Sequence, residues 1–298
     1  MATAELQRGK GAAHGVFSGA QAVFSGVWPE LKRLPWQAVI ILGVFVFMAF
    51  FAGLISPYDP NESNLLIRLH GPDSQHLLGT DTLGRDVLSR LIYGARTSLT
   101  VASVALLVGG SVGLAVGIAS GYMGGKVDAF LMRLTDCFIA LPGLLIALVF
   151  VMTVGPGLGT VVLAISITMW SGFTRIIRSE VLSLRKRDYV ALARVAGCSN
   201  ARIMTVHILP NVLNTFIVLV SLRVSAVILT ESTLSFLGAG VPPPTATWGN
   251  MVSDGINYIT SAWWLAIFPG IAITLVVLSL NVLGDWIRDR FDPRLRQL

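Results

Sequence analysis

The stretch RDYVALARVAGCSNARIMTVHILPN, residues 187–211, is a polar and basic patch in a chain otherwise dominated by long uncharged runs. In its first half Tyr189, Val190, Leu192, Ala193 and Ala196 recur at helical spacing, with Arg194 on another face. Gly197 supplies the flexible residue that commonly ends a helix, and Ser199 or Asn200 can cap the next one. No Glu or Gln stands three residues after either cap, so the capping signal is partial. The second helix, about residues 201–209, has Ile203, Met204 and Val206 to bury before Pro210 breaks it. The spacing therefore predicts a helix, a turn and a second helix over residues 188–210. Both are too short to cross a bilayer, and Arg185, Lys186 and Arg187 flank them.

The rest of the chain says what this hairpin interrupts. Hydrophobic residues make up 54% and charged residues 13%, and the mean hydropathy is +0.73. A soluble domain with a polar surface does not carry such a balance. Residues 34–58, 97–125, 137–174 and 255–284 contain no Asp, Glu, Lys or Arg. A hydrocarbon core of roughly 30 Å needs about 20 apolar residues, and backbone polar groups in lipid must be satisfied within the helix. The reading is an all-α integral membrane protein with six transmembrane helices, over about 36–55, 98–122, 130–154, 159–177, 212–234 and 262–283. The 137–174 run divides at Gly155, Pro156 and Gly157. The first span reads as a retained anchor, because its polar leader and apolar core are both too long for a cleaved signal and GLISPYDP is a poor cleavage site.

Orientation follows from the basic residues. With the N-terminus inside, 17 of the 22 Lys and Arg fall in cytoplasmic segments, four lie outside between Arg68 and Arg96, and Arg223 lies within a span. Both termini are then cytoplasmic, and the net charge of +6 reflects this bias rather than a nucleic-acid surface. Cys137 and Cys198 fall in different environments, and His14, His70, His76 and His207 are scattered, so neither a disulfide nor a metal site is expected. The glycines before Lys126 do not make a phosphate loop, since Ser120 and Val127 stand where that motif needs Gly and a hydroxyl.

Three further patterns carry weight. Gly109, Gly113, Gly117, Gly121 and Gly125 recur every four residues, a small-residue groove that lets another helix approach closely. Arg223 and Glu231 are ionisable residues within a span, and such residues face a partner or a watery cavity; both are candidates for a translocation path. Asp81 and Asp86, beside Gly79, Gly84, Arg85 and Arg90, read as turn and helix-capping charges of an amphipathic helix outside the membrane. In the later loop Trp263 and Trp264 read as interface anchors, while Trp248 and the prolines at 242–244 lie farther out.

Taken alone, the hairpin is either a surface helix resting on lipid or a docking element for a soluble partner. A resemblance favours the second. The order A-x-A-x-x-x-G, a spacer and HILPN resembles the EAA loop of binding-protein-dependent ABC transporter permeases, with Ala191, Leu192 and Ala193 where that family has Glu-Ala-Ala. HLLGTDTLGRDVLSRLIYGARTSL (residues 76–99), GYMGGKVDAFLMRLTD (121–136), TESTLSFLGAGVPPPTATWGNMVSD (230–254) and GDWIRDRFDPRLR (284–296) are similar to the second permease of dipeptide, oligopeptide and nickel importers. The resemblance implies a type I importer permease in a bacterial inner membrane, pairing with a homologous permease, two ABC ATPase subunits and an extracytoplasmic solute-binding protein. It implies that the chain is not an enzyme and holds no cofactor, ATP and Mg being bound by the ATPases. Asp188, Tyr189, Ala191, Ala193, Arg194, Gly197, Ile203, His207, Leu209 and Pro210 would form the ATPase-coupling loop. The expected organisation is a leader (1–35), a first span (36–55), an outer loop (56–96), a five-helix core (97–284) and a cytoplasmic tail (285–298). A peptide-like solute is implied, with a nickel chelate or glutathione as alternatives; an ion-coupled secondary transporter is the rival class.

Overall fold

The computed structural model describes residues 34–291. From Gln37 onward they belong to one compact unit. The expectations for the leader up to residue 33 and for the basic residues after 291 lie outside the described residues. Among the described residues the elements are helical, apart from an isolated antiparallel bridge between Thr80 and Asp86. In chain order they are α1 (Trp36–Phe50), α2 (Val87–Met123), α3 (Gly125–Ala140), α4 (Gly143–Val154), α5 (Leu158–Leu184), α6 (Asp188–Val195), α7 (Asn200–Phe236), α8 (Trp248–Ile256) and α9 (Trp264–Phe291). The short turns Ala52–Ile55 and Leu65–Ile67 precede α2.

Four of these, α2, α5, α7 and α9, are long and apolar enough to cross a membrane. The helix α1 is apolar but has only 15 residues. The third expected span is not one helix: α3 and α4 meet at a bend of 88°. Pro142 explains the break. It has no N–H to continue the ladder and disfavours the helical region for the residue before it, and Leu141 is extended at φ −100° and ψ 143°. The α3 arm is tied by charge to α5: Arg178 donates twice to Asp128 at 2.6 Å, and Arg175 pairs with Asp136.

The most extensive helix pairing is α2 against α5, and the glycines explain it. A Cβ placed on Gly109 would stand 2.9 Å from the Ser166 carbonyl oxygen, and on Gly113 2.5 Å from both Phe173 Cβ and the Trp170 oxygen. On Gly117 and Gly121 it would stand 2.8 Å from Ile177 Cβ and Val181 Cβ. Backbone approach this close also lets Ser166 Oγ reach Ala105 O at 3.2 Å and Thr174 Oγ1 reach Gly113 O at 3.3 Å. Gly125 does not belong to this groove. It starts α3 at φ +55°, with nothing within 4 Å of the Cβ position.

The loop end of the molecule, residues 56–86 and the segment leading into α9, differs from the sequence reading in two ways. Residues 56–86 form a folded loop, and the expected amphipathic helix is the beginning of α2 itself. Asp86 caps α2 by accepting from the Ser89 N–H and hydroxyl, both at 2.7 Å, while Asp81 accepts from the N–H groups of Leu83 and Arg85 and from Arg85 Nε at 2.6 Å. Trp248, expected far out in the loop, and Trp264, expected as an interface anchor, are both core residues. Trp248 is fully buried, donates to Leu91 O at 3.0 Å and meets Phe45 edge-on; Trp264 donates to Thr80 O at 3.2 Å. Each indole fills a gap and finds a carbonyl for its N–H, as a buried Trp requires. Nearby, burial pushes the Asp254 carboxyl above its ordinary value, with Arg90 and Arg85 pulling it back down.

Candidate functional site

The hairpin is rooted in the ends of α2 and α5. Val190 and Ala193 of α6 and Ile203, Ile208 and Val212 of α7 are buried against Ile118, Tyr122, Ile177 and Val181. Tyr122 also donates to Asn200 Oδ1 at 3.0 Å, and the Arg194 guanidinium lies 5.2 Å from the centre of its ring. Burying the four branched side chains, Val190, Ile203, Ile208 and Val212, at roughly 1.5–3 kcal/mol each, holds the root against the ends of α2 and α5.

The turn closes by a double hydrogen bond. Cys198 N–H reaches Ala193 O and Gly197 N–H reaches Arg194 O, both at 3.0 Å, with Gly197 at φ +77°. This is a Schellman closure, which needs a left-handed residue where glycine is cheapest. Ser199 rather than Asn200 caps the following helix, its Oγ accepting from Arg202 N–H at 3.3 Å.

The outward face is unexpectedly apolar. Of the five apolar residues at helical spacing, only Val190 and Ala193 turn inward; Tyr189, Leu192 and Ala196 are exposed. Leu192 is 67% exposed and the adjoining Val195 87%, a tip formed by side chains that water does not favour. Asp188, Ala191 and Arg194 are also exposed, and His207 and Leu209 are partly buried.

Pro210 does not end the second arm. The helix runs without interruption from Asn200 to Phe236, with a π-turn at Ile203–Ile208. Leu209 N–H bonds to Met204 O, five residues back. That widened turn comes immediately before the proline, where a regular helix would press the ring against the carbonyl four residues earlier. Asn211 Nδ2 also donates to His207 O at 2.7 Å.

The two intramembrane ionisable residues part company. Arg223 lines a cleft of about 480 Å³ between the α3–α4 bend, α5 and the middle of α7, with Phe138, Leu141, Thr168 and Arg175 among its walls. Glu231 is fully buried and does not line that cleft; Ser235 Oγ donates to its Oε1 at 2.9 Å. The eight-residue separation turns the two side chains by about 80° around a 3.6-residue helix, which accounts for the different surroundings. Among the described residues no three His, Cys, Asp or Glu side chains come together as a metal ion would need.

Comparison with known proteins adds the following. The family described as the binding-protein-dependent transport system inner membrane component matches residues 113–297, and the N-terminal TM domain of oligopeptide transport permease C matches residues 32–72. The dipeptide transport system permease protein DppC of Escherichia coli (strain K12) is 44% identical, over 91% of this chain and 93% of that protein. The di/tripeptide transport system permease protein DppC of Pseudomonas aeruginosa (strain UCBPP-PA14) is 40% identical over 91% and 94%. The oligopeptide transport system permease protein OppC of Bacillus subtilis (strain 168) is 37% identical over 89% and 87%. Among solved structures, a chain of the inward-facing MetNI methionine ABC transporter aligns with a TM-score of 0.57 at 16% identity, covering 69% of this chain and 97% of that one. That last likeness speaks to the fold alone.

Proposed function

The chain belongs to the family of inner membrane components of binding-protein-dependent transport systems, and from that premise we propose that it forms half of the path by which an ATP-driven importer admits a peptide-like solute. A second permease supplies the other half, a solute-binding protein delivers the cargo outside, and two ATPase subunits bind and hydrolyse ATP on the cytoplasmic side. The hairpin at 188–210 is the coupling element. The observation that carries this assignment is its exposed apolar tip, Leu192 and Val195, on a root buried among α2 and α5. Such a tip suits a cleft on a soluble partner, and the rigid root carries movement of that partner into the spans. ATP does work here through its different affinity for two states of the partner.

Leu192→Asp tests this directly. The side chain is exposed, so folding and membrane insertion are expected to stay near wild type. A charge buried at the docking face is expected to reduce ATPase co-purification and solute uptake at least ten-fold, equivalent to about 1.4 kcal/mol. Full retention of both would remove the hairpin from the coupling pathway.

Orientation has its own test. Cys137 is exposed and Cys198 partly so, hence the measurement uses a Cys137→Ser background. A membrane-impermeant maleimide is expected to label Cys198 in inverted vesicles stripped of ATPase and not in intact cells. Labelling from outside would reverse the topology.

A further inference from the structure

We propose that the cleft at the α3–α4 bend is an anion site in which Arg223 holds the carboxylate of the transported solute. This rests on the reading of the chain as half of a solute path and narrows the class of solute. Four observations converge on it.

First, Arg223 has no hydrogen bond or ion pair among the described residues. The other guanidinium of the cleft, Arg175, is engaged by Asp136 Oδ1 at 2.5 Å. An unpaired charge in a membrane-spanning helix is expensive and is kept where water or a ligand meets it.

Second, the facing helix makes room for this side chain. Gly172 of α5 lies opposite, and a Cβ there would stand 3.3 Å from Arg223 Nη2.

Third, no Asp or Glu lines the cleft, so nothing in its wall neutralises the guanidinium. The hydroxyls of Thr168 and Thr230 donate to carbonyls of their own helices, Ile165 O and Ala226 O, both at 2.8 Å.

Fourth, apart from Ser171 the remaining wall is apolar, with Phe138, Leu144, Met169 and Val227. At about 480 Å³ the cleft falls in the range of small-molecule sites, which are mostly apolar with a few convergent polar groups. The matching ligand has a carboxylate at one end and an apolar side chain beside it, the chemistry of a peptide C-terminus. The planar guanidinium fork recognises a carboxylate through two parallel N–H donors, which a lysine cannot reproduce.

The test uses the full transporter complex in vesicles, with Thr168→Cys in a Cys137→Ser, Cys198→Ser background. Rates of modification at position 168 are measured with a sulfonate-bearing and a trimethylammonium-bearing methanethiosulfonate. With Arg223 present, the ratio of anionic to cationic rate is expected to be about ten-fold higher than in Arg223→Gln, with Arg223→Lys retaining most of that preference as a point charge. N-acetylphenylalanine is expected to slow the reaction, and its carboxamide to leave it unchanged, in the Arg223 protein alone. An unaltered ratio in Arg223→Gln, or equal protection by acid and amide, overturns the proposal. The modification rate does not depend on turnover. A failed coupling assignment would therefore show in the Leu192→Asp transport assay while leaving the anion preference to stand or fall separately.

Discussion

Gly113→Leu is expected to abolish the assembled protein, leaving little monodisperse material after membrane extraction and no measurable uptake. A Cβ at this position already falls 2.5 Å from Phe173 Cβ and from the Trp170 carbonyl oxygen. The obstacle is partly backbone, so no side-chain rotation relieves it, and the branched part of leucine lies beyond. Overpacking in a well-filled core costs about 1–3 kcal/mol and more where the backbone must move. Prising α2 from α5 would also strand the Thr174 hydroxyl's contact with Gly113 O. Gly43→Leu serves as the control: that glycine lies in α1 with nothing within 4 Å of its Cβ position, and its yield is expected to match wild type. Equal yields for both variants would mean that the α2–α5 contact contributes little to assembly.

Gly197→Val is expected to separate insertion from coupling. Nothing lies within 4 Å of a Cβ at this position, so space is not the difficulty; φ of +77° is. A β-branched residue in the left-handed region costs on the order of 1–2 kcal/mol, enough to open the Schellman closure without unfolding the spans. Membrane insertion and extraction yield are expected to be unchanged, while ATPase co-purification and uptake fall several-fold. Gly197→Asn tolerates the same backbone region and is expected to recover most of the activity. A hairpin that merely rested on lipid would be indifferent to the turn, because its binding depends on apolar area and charge. Normal transport by Gly197→Val with its ATPase still bound would therefore remove the coupling role from this segment.

What could be read from sequence was what depends on near neighbours. The first arm of the hairpin and its glycine turn follow from local spacing, with the cap narrowed to Ser199 or Asn200, and the steps from Gly109 to Gly121 describe a face of a single helix. The groove was overextended to Gly125 because a period of four continues past the end of α2, which only the positive φ at Gly124 and Gly125 reveals. The bend at Leu141 was hidden inside an uncharged run in which hydropathy outweighed one proline. At Pro210 the error ran the other way. A proline read as a terminator is accommodated by a π-turn, because burial of Ile203, Ile208 and Val212 on both sides holds the helix together. Trp248 reads along the chain as lying far out in a loop and Trp264 as an interface anchor, whereas the long-range contacts that bury them, to Leu91 and to Thr80, leave no local trace. Nothing along the chain distinguished Arg223 from Glu231, since the cleft that contains one and not the other is made by four separate helices.

The unbroken passage through Pro210 has a mechanical consequence. A hinge there would absorb any push on the hairpin within one turn. As one body of 37 residues, α7 is instead a rod of about 55 Å that begins at the hairpin turn. A tilt of about 10° at Asn200 sweeps Arg223, about 34 Å along the rod, through about 6 Å. That stroke is comparable to one helical turn, so a small rotation at Asn200 is enlarged by the time it reaches the guanidinium.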